Sequence, residues 1–300
     1  MTNPALTTER LPTRDTILGA GLPIRRALPN KARRMIGAWC FLDHAGPTTL
    51  HSHTEFRVGP HPHIGLQTFS WMIAGEILHR DSLGYVQVLR PGQVNLMTAG
   101  KGISHSEEAL PLSAPMQLHL AQLWIALPDA KRHMPPAFQH YSELPVFDLG
   151  GFNTTLLTGE FAGRISPVQV HTPLLGVDLA CAAQADASLT LNPEFEYGAL
   201  VLEGEAHIDG EALASGTLLY LGTSRSQLRV QANSQARVLL LGGEPFNEPV
   251  LLWWNFVARD EAEITQATHD WDNTDRFGEV KSYVGERLVA PSVDGLHLRR

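Results

Sequence analysis

Apolar and polar positions alternate over residues 66–73, and similar short runs recur along most of the chain. A two-residue period sends successive side chains to opposite faces of a strand, so strands are expected at 66–73, 77–80, 85–89, 94–97 and 118–127. Gly75-Glu76 and Pro91-Gly92 supply turns between them. Upstream, residues 1–20 are polar without a clear period, a first strand is expected at 24–28, and 35–42 is apolar enough for a buried strand. Residues 43–59, rich in Gly, Pro, Thr and His, read as a loop. Prolines at 128, 135, 136 and 145 punctuate the middle of the chain, where 131–145 reads as a linker between a domain of residues 1–130 and one of residues 146–300. The strand pattern resumes at 154 and runs to about 241. Only near 260–271 does the period change: Ile264, Ala267 and Trp271 recur at i, i+3 and i+7, one face of an amphipathic helix. The expected architecture is all-β, two barrels or sandwiches, with a single C-terminal helix.

The second half repeats the first. Gly75 after Met72-Ile73-Ala74 matches Gly204 after Val201-Leu202-Glu203, and Gly92 before Gln93-Val94-Asn95 matches Gly216 before Thr217-Leu218-Leu219.

Chemistry concentrates between the predicted strands of the first copy. His61-Pro62-His63 and His105-Ser106-Glu107 are each i, i+2 pairs, so in extended chain both members of a pair project the same way. Pro62 holds the first pair extended, and Gly100 and Gly102 permit a tight turn before the second. If the two segments lie side by side, three imidazoles and a carboxylate converge on one ion. Nitrogen and oxygen donors without thiolate suit iron, manganese, cobalt, nickel, copper or zinc, and affinity order alone does not choose among them; one divalent ion is expected, with iron(II) the first expectation. Carrying the same offsets into the second copy lands on Thr190, Asn192, Arg229 and Gln231, so the second barrel is expected to lack a metal. A rival pair, His51-Ser52-His53, lacks the proline clamp and a following strand, and reads as exposed loop histidines.

The runs His61-Pro62-His63-Ile64-Gly65-Leu66-Gln67-Thr68 and Met97-Thr98-Ala99-Gly100-Lys101-Gly102-Ile103-Ser104-His105-Ser106-Glu107 resemble the signature of the pirin family within the cupins, and Gly243-Glu244-Pro245-Phe246-Asn247-Glu248-Pro249-Val250 resembles its C-terminal motif. The resemblance implies a bicupin of two tandem cupin barrels, with metal ligation by His61, His63, His105 and Glu107. Cupins generally carry a glutamate four residues after the second histidine; here that position is Gln67. The family includes quercetin 2,3-dioxygenases, so the resemblance implies a flavonol-like substrate cleaved with O2, with Glu107 as the catalytic base that accepts the enol proton. It also includes metal-dependent partners of transcription factors and metabolic enzymes, which makes a non-enzymatic redox sensor or co-regulator with a protein partner the alternative. For a substrate pocket, Phe69, Trp71, Met97 and Leu118 are candidate lining, and His79 and His119 candidate contacts.

Composition narrows the partners. A net charge of −8 argues against nucleic acid or an anionic membrane surface as a direct partner. The one basic concentration, Arg25-Arg26 with Lys31 to Arg34, reads as a solvated arm. No run approaches the roughly 20 apolar residues of a membrane span, and Met1 to Leu11 lacks the apolar stretch of a secretory signal. Cys40 and Cys181 show no framework spacing. A cytoplasmic protein is expected. Trp253 and Trp254 read as core or domain-interface aromatics.

Overall fold

The structure, a computed structural model, describes residues 8–19, 21–293 and 295. The expectation for Met1 to Leu11 falls mostly outside that set. Among the described residues, twenty-six strands, one short 3-10 helix and one α-helix make up an all-β fold, as the two-residue period predicts. No helix among the described residues is long and apolar enough to cross a membrane.

Two compact units share the chain, and neither is a single continuous segment. One comprises residues up to Asp15, Arg25–His44 and Tyr141–Phe246; the other comprises Thr16–Ile24, Ala45–His140 and Asn247–Arg300. Each linear half expected at 1–130 and 146–300 thus contributes a segment to the other's unit.

In the first of these units, seven strands form a sheet in the order Glu9–Pro12, Thr217–Gly222, Glu196–Glu203, Ala236–Gly243, Leu174–Cys181, Phe152–Thr158, Val146–Leu149. The other sheet is Ala185–Thr190, Gln227–Ala232, Glu205–Ile208 and Glu211–Ala214. Alternation does its work here: Ala185, Ala187 and Leu189 are buried in the core with Leu228, Val230 and Ala232, while Asp186 and Ser188 are exposed. Strand Glu9–Pro12 lies in the stretch expected to have no period; it is held by pairing with Thr217–Gly222 rather than by its own pattern. The basic concentration is a solvated arm only in part: Lys31 and Arg34 are exposed, but the other three arginines fold back on the protein. Arg26 makes two 2.7 Å bonds to Asp43, Arg25 donates to Ser215 at 2.8 Å, and the Arg33 guanidinium lies 3.8 Å from the centroid of the Tyr220 ring.

In the second unit, strands Arg57–His63, Ile103–Ala109, Ile77–Asp81 and Val86–Leu89 form one sheet. The other runs Ala137–Tyr141, Val94–Thr98, Leu66–Ala74, Met116–Ala126, followed by the parts of Trp39–Leu50, Leu22–Leu28 and Arg14–Leu18 that belong to this unit. Met72, Ile77, Leu89, Leu118, Leu120 and Phe56 pack in the core of this unit. Two expectations are corrected. Residues 43–59 are not all loop: Ala45 and Leu50 are buried and the strand continues to Leu50, with His51 and His53 exposed beyond it. Residues 131–145 are not too punctuated for sheet, since Ala137–Tyr141 fits between Pro136 and Pro145 as an edge strand, where a missing ladder hydrogen bond costs least.

Helix Glu261–Asn273 begins at an N-cap, Asp260, whose carboxylate accepts from the Glu263 amide at 2.9 Å. The face expected from the sequence, Ile264, Ala267 and Trp271, is buried against Ile64, Phe256 and Phe277. The helix therefore belongs to the unit that carries the histidine pairs.

The repeat is visible in backbone geometry. Gly75 and Gly204 both adopt positive φ, +86° and +70°, and a Cβ on either would meet a carbonyl oxygen, of Gln117 at 2.5 Å and of Gln235 at 2.3 Å. Only glycine fits either turn.

Candidate metal centre

The two motif segments pair with each other. Strands Arg57–His63 and Ile103–Ala109 run antiparallel, with Ile103 opposite His63 and His105 directly opposite His61. Directly opposed residues share a face, so register puts three imidazoles together: ring centroids are 4.4 Å apart for His61 and His105, and 5.0 Å for His63 with either. One ring nitrogen from each of His61, His63 and His105 lies within 4.8 Å of the others, and all three residues are buried.

Their protonation suits a cation. Burial pushes the His61 imidazole down to about 4, and burial together with neighbouring imidazoles holds His63 and His105 well below the ordinary value of 6.5. All three rings are uncharged at neutral pH. His61 Nδ1 donates to the Gly59 carbonyl at 2.8 Å and His63 Nδ1 to the Asn255 carbonyl at 2.9 Å, so on both rings the lone pair is on Nε2. His63 Nε2 faces His105 Nε2 at 3.0 Å. With the lone pairs of His61 and His63 turned towards His105 and one ring nitrogen of each within 4.8 Å of the others, these residues fit a metal ion. Both cysteines, Cys40 and Cys181, are buried in the other unit, so the donor set here is nitrogen and oxygen alone.

Glu107 sits one step away. It pairs with His79 across the third strand, Ile77–Asp81, and its carboxylate groups with His79 and His105 rather than with all three imidazoles of the first set. Register explains the offset: the ladder shifts between His105 and Glu107, so Glu107 lies opposite Val58 instead of a residue adjoining His61. Burial raises the Glu107 carboxyl above its usual range, against the opposing influence of His79 and a 3.4 Å hydrogen bond from Ser70 Oγ. Glu107 is 8% exposed, the most accessible of the four.

The surrounding face is set by parity. Trp124 meets the His63 ring edge-on at 5.1 Å, Thr68 lies opposite Trp124, and Met97 lies opposite Thr68. Ser70, two residues from Thr68, bonds both Glu107 and, at 2.7 Å, Gln122. Of the expected lining residues only Met97 is on this face. Phe69 and Trp71 occupy the alternate face of their strand, and Leu118 lies in the core cluster. His119 pairs with Ala74, five residues along its strand from Trp124, roughly 16 Å at strand rise. Gln67 shares the alternate face with Phe69; its Nε2 donates to Thr98 Oγ1 at 2.9 Å and its Oε1 is buried without a hydrogen-bond partner. A glutamate's absence there takes no donor from the histidine cluster.

His79, expected as a candidate contact, adjoins the cluster, its ring centroid 5.2 Å from that of His105, whereas its i, i+2 partner Asp81 was not legible as a neighbour of the site. Phe138, on the strand found within the expected linker, stacks on His79 at 4.4 Å and 14°. In the other unit, a cavity of about 970 Å³ is lined by Thr190 and Asn192, the positions to which the histidine offsets carry over, with Phe161, Leu191, Phe195 and Tyr197.

Two family models match the chain, one described as Pirin over residues 21–125 and one as Pirin C-terminal cupin domain over residues 176–278. A protein named "Putative quercetin 2,3-dioxygenase" from Pseudomonas aeruginosa is 52% identical over 286 residues, which are 95% of this chain and 90% of that protein. A "Pirin-like protein" of Caulobacter vibrioides is 37% identical, over 83% of this chain and 87% of its own length. The crystal structure of a quercetin 2,3-dioxygenase from Acinetobacter baumannii superposes with a TM-score of 0.92 at 51% identity, covering 97% of each chain.

Proposed function

The chain belongs to the pirin family, a bicupin that carries a buried histidine cluster, and on that footing we propose that it is a mononuclear metalloprotein that cleaves a flavonol-like substrate with dioxygen. The observation that carries the proposal is the set of three neutral imidazoles of His61, His63 and His105, two of them with Nδ1 tied back to carbonyls and Nε2 left for a cation. The similar proteins of P. aeruginosa and A. baumannii carry quercetin 2,3-dioxygenase in their names, which supports the substrate class.

In this reading His61, His63 and His105 hold the ion, iron(II) by first choice, and Glu107 completes the set from beside His105. The bound ion would supply a Lewis-acidic, redox-active point at which a chelating enol and O2 are brought together. Glu107 accepts the enol proton, for which Ser70 Oγ orients its carboxylate. Trp124 packs edge-on against the His63 ring and Phe138 stacks on His79 beside the donors, which limits water at the site. Both cysteines are buried and neither is in a disulfide, which suits a cytoplasmic, reducing setting.

The test is turnover. Protein reconstituted with iron(II), cobalt(II) or nickel(II) is given quercetin under oxygen, and carbon monoxide and substrate loss are followed. Turnover no greater than that of Glu107→Ala with every metal ends the enzymatic reading. A second reading, a redox-sensing co-regulator with a protein partner, is favoured by the enclosure of the donors, none of which exceeds 8% exposure. It requires a partner retained differently by ferrous, ferric and metal-free protein.

A further inference from the structure

We propose that the cavity in the unit without the histidine cluster is a second, metal-free binding site, and that it takes an uncharged aromatic small molecule. The space measures about 970 Å³, at the upper end of the roughly 300–1,000 Å³ of small-molecule sites. One wall is formed by residues 159–175, which lead from strand Phe152–Thr158 into strand Leu174–Cys181, and the other by residues 190–197. Each wall is pinned by its own hydrogen bonds. Ser166 Oγ donates to the Leu157 carbonyl at 2.9 Å and the Ser166 amide to the Gly159 carbonyl at 2.9 Å. Across the space, the Tyr197 hydroxyl accepts from the Asn192 amide at 2.9 Å and donates to the Asn192 carbonyl at 3.0 Å. The site is therefore preformed.

The lining decides the class of ligand. Phe161, Leu174, Leu175, Leu191 and Tyr197 are each at most 5% exposed and make its apolar base. Phe195 is half-buried, its ring centroid 6.1 Å from that of Tyr197, and Ile165 is 72% exposed. Apolar surface left in water gains by being covered, and an aromatic guest adds ring contacts to that gain. Among the described residues no lysine or arginine lines the space, and its one carboxylate, Glu160, is exposed. The nearby Arg164 is turned to another partner, its guanidinium 4.1 Å from the centroid of the Phe147 ring. An anion would lose hydration without meeting a counter-charge. A cation would gain little from a single solvated carboxylate.

Polarity is supplied without charge. Asn192 Oδ1 accepts from the Glu194 amide at 3.0 Å, and Asn192 Nδ2 and the Thr190 hydroxyl bond to no described residue. These are the positions on which the offsets of His61 and His63 fall, so the second copy presents neutral hydrogen-bonding groups where the first presents imidazoles. Among the described residues no group of three metal-ligating side chains lies at this cavity, and the histidine cluster belongs to the other unit. The inference therefore stands whether or not that cluster holds an ion.

The test uses a matched pair of probes, N-phenyl-1-naphthylamine and 1-anilinonaphthalene-8-sulfonate, which differ only in the anionic group. Equilibrium dialysis of the full chain at pH 8 gives the affinity of each. Expected is binding of the neutral probe at least about tenfold tighter than that of the sulfonate. Val170 is a half-buried lining residue, and Val170→Trp fills the space, so the neutral probe should bind at least about tenfold more weakly. His105→Ala lies in the other unit and should leave that affinity within about twofold. Ile165→Lys brings an ammonium to an exposed lining position, and the preference for the neutral probe should narrow at least about threefold. The proposal is overturned if the wild type does not bind the neutral probe, if it binds the sulfonate as tightly, or if Val170→Trp binds like wild type. It is equally overturned if His105→Ala loses the probe, which would place binding at the cluster. Should Val170→Trp fail to fold, judged by its urea midpoint, Ile165→Lys decides, and an unchanged preference between the two probes overturns the site.

Discussion

His61 and His105 stand directly opposite each other on adjacent antiparallel strands, with ring centroids 4.4 Å apart. Forty-four positions of sequence are thereby reduced to one cross-strand pair, and the convergence depends on register alone. A one-residue slip would send one imidazole to the other face.

Removing either imidazole should abolish tight metal binding while leaving the barrel folded. His61→Ala and His105→Ala each delete one of three convergent nitrogens, and cobalt(II) affinity should fall by at least about 100-fold, since even partners outside the ligand set are worth 10–100-fold. Equilibrium dialysis of each variant against the metal checks this. Unchanged occupancy in either would remove that ring from the ligand set.

Metal removal should lower thermal stability through the unit that carries the cluster. An ion that binds only the folded state stabilises it by about 2.7 kcal/mol at a hundred times its Kd. For a domain of this size that is a rise in Tm of roughly 5–10 °C. Melting the chelator-treated protein, then adding back each metal in turn, gives the shift, and no shift with any metal would contradict the centre.

How far the sequence could be read is shown by which residues it brought together. The pairs His61/His63 and His105/Glu107 were visible because i, i+2 spacing implies a shared face, and the period change at Ile264, Ala267 and Trp271 located the helix. Three things were not local properties. Phe69 and Trp71 were expected beside the site, but alternation says that neighbours on a strand face apart without saying which side is inward; Thr68 and Ser70 take that place. His79 and Asp81 join the cluster through pairing of Ile77–Asp81 with Ile103–Ala109, a register between distant segments. Prolines at 135, 136 and 145 signalled a linker, yet the five residues Ala137–Tyr141 between them find an edge to pair with.

The two matched glycines predict equal penalties in the two halves. Alanine at position 75 or 204 must hold a positive φ and place a methyl group within 2.5 Å of a carbonyl oxygen. Each substitution should cost at least about 1–2 kcal/mol from the left-handed conformation alone. Urea unfolding of Gly75→Ala and Gly204→Ala measures this, and a loss in only one would break the structural equivalence of the turns.

Asp43 predicts a pH-dependent penalty. Burial raises its carboxyl above the usual range, and the paired Arg26 opposes that shift. A raised folded-state pKa means that the cost of the buried charge is fully present above that pKa and is relieved as pH falls towards the unfolded value. Replacing Arg26 with Met leaves the carboxylate uncompensated, a loss of about 3 kcal/mol near pH 8. Asp43 in the variant titrates higher still, so the difference from wild type should shrink on going from pH 8 to pH 5, as denaturant melts at both pH values can show. A difference that is constant with pH would mean that Arg26 contributes packing, on the Phe41 ring 4.5 Å away, rather than charge.

Phe138 predicts a change in access rather than in ligand set. Its ring stacks on His79, contacts Tyr85 at 5.0 Å, and is 7% exposed, while Tyr85 is 48% exposed. The outer aromatic is therefore wetted and the inner one is the last ring before the buried His79. Phe138→Ala removes that ring from an edge strand whose neighbour His140 is separately tied to Asn95 at 2.8 Å, so the strand has a second anchor. Truncation should cost about 3 kcal/mol of stability. None of His61, His63 or His105 is altered, so the equilibrium affinity for cobalt(II) should change far less than in His105→Ala. Release of cobalt to excess chelator should instead accelerate by about tenfold or more, as expected when a covering side chain and not a ligand is lost. Stopped-flow release from wild type and variant separates the two effects: equal rates would show that ions reach the cluster by a path that does not pass Phe138.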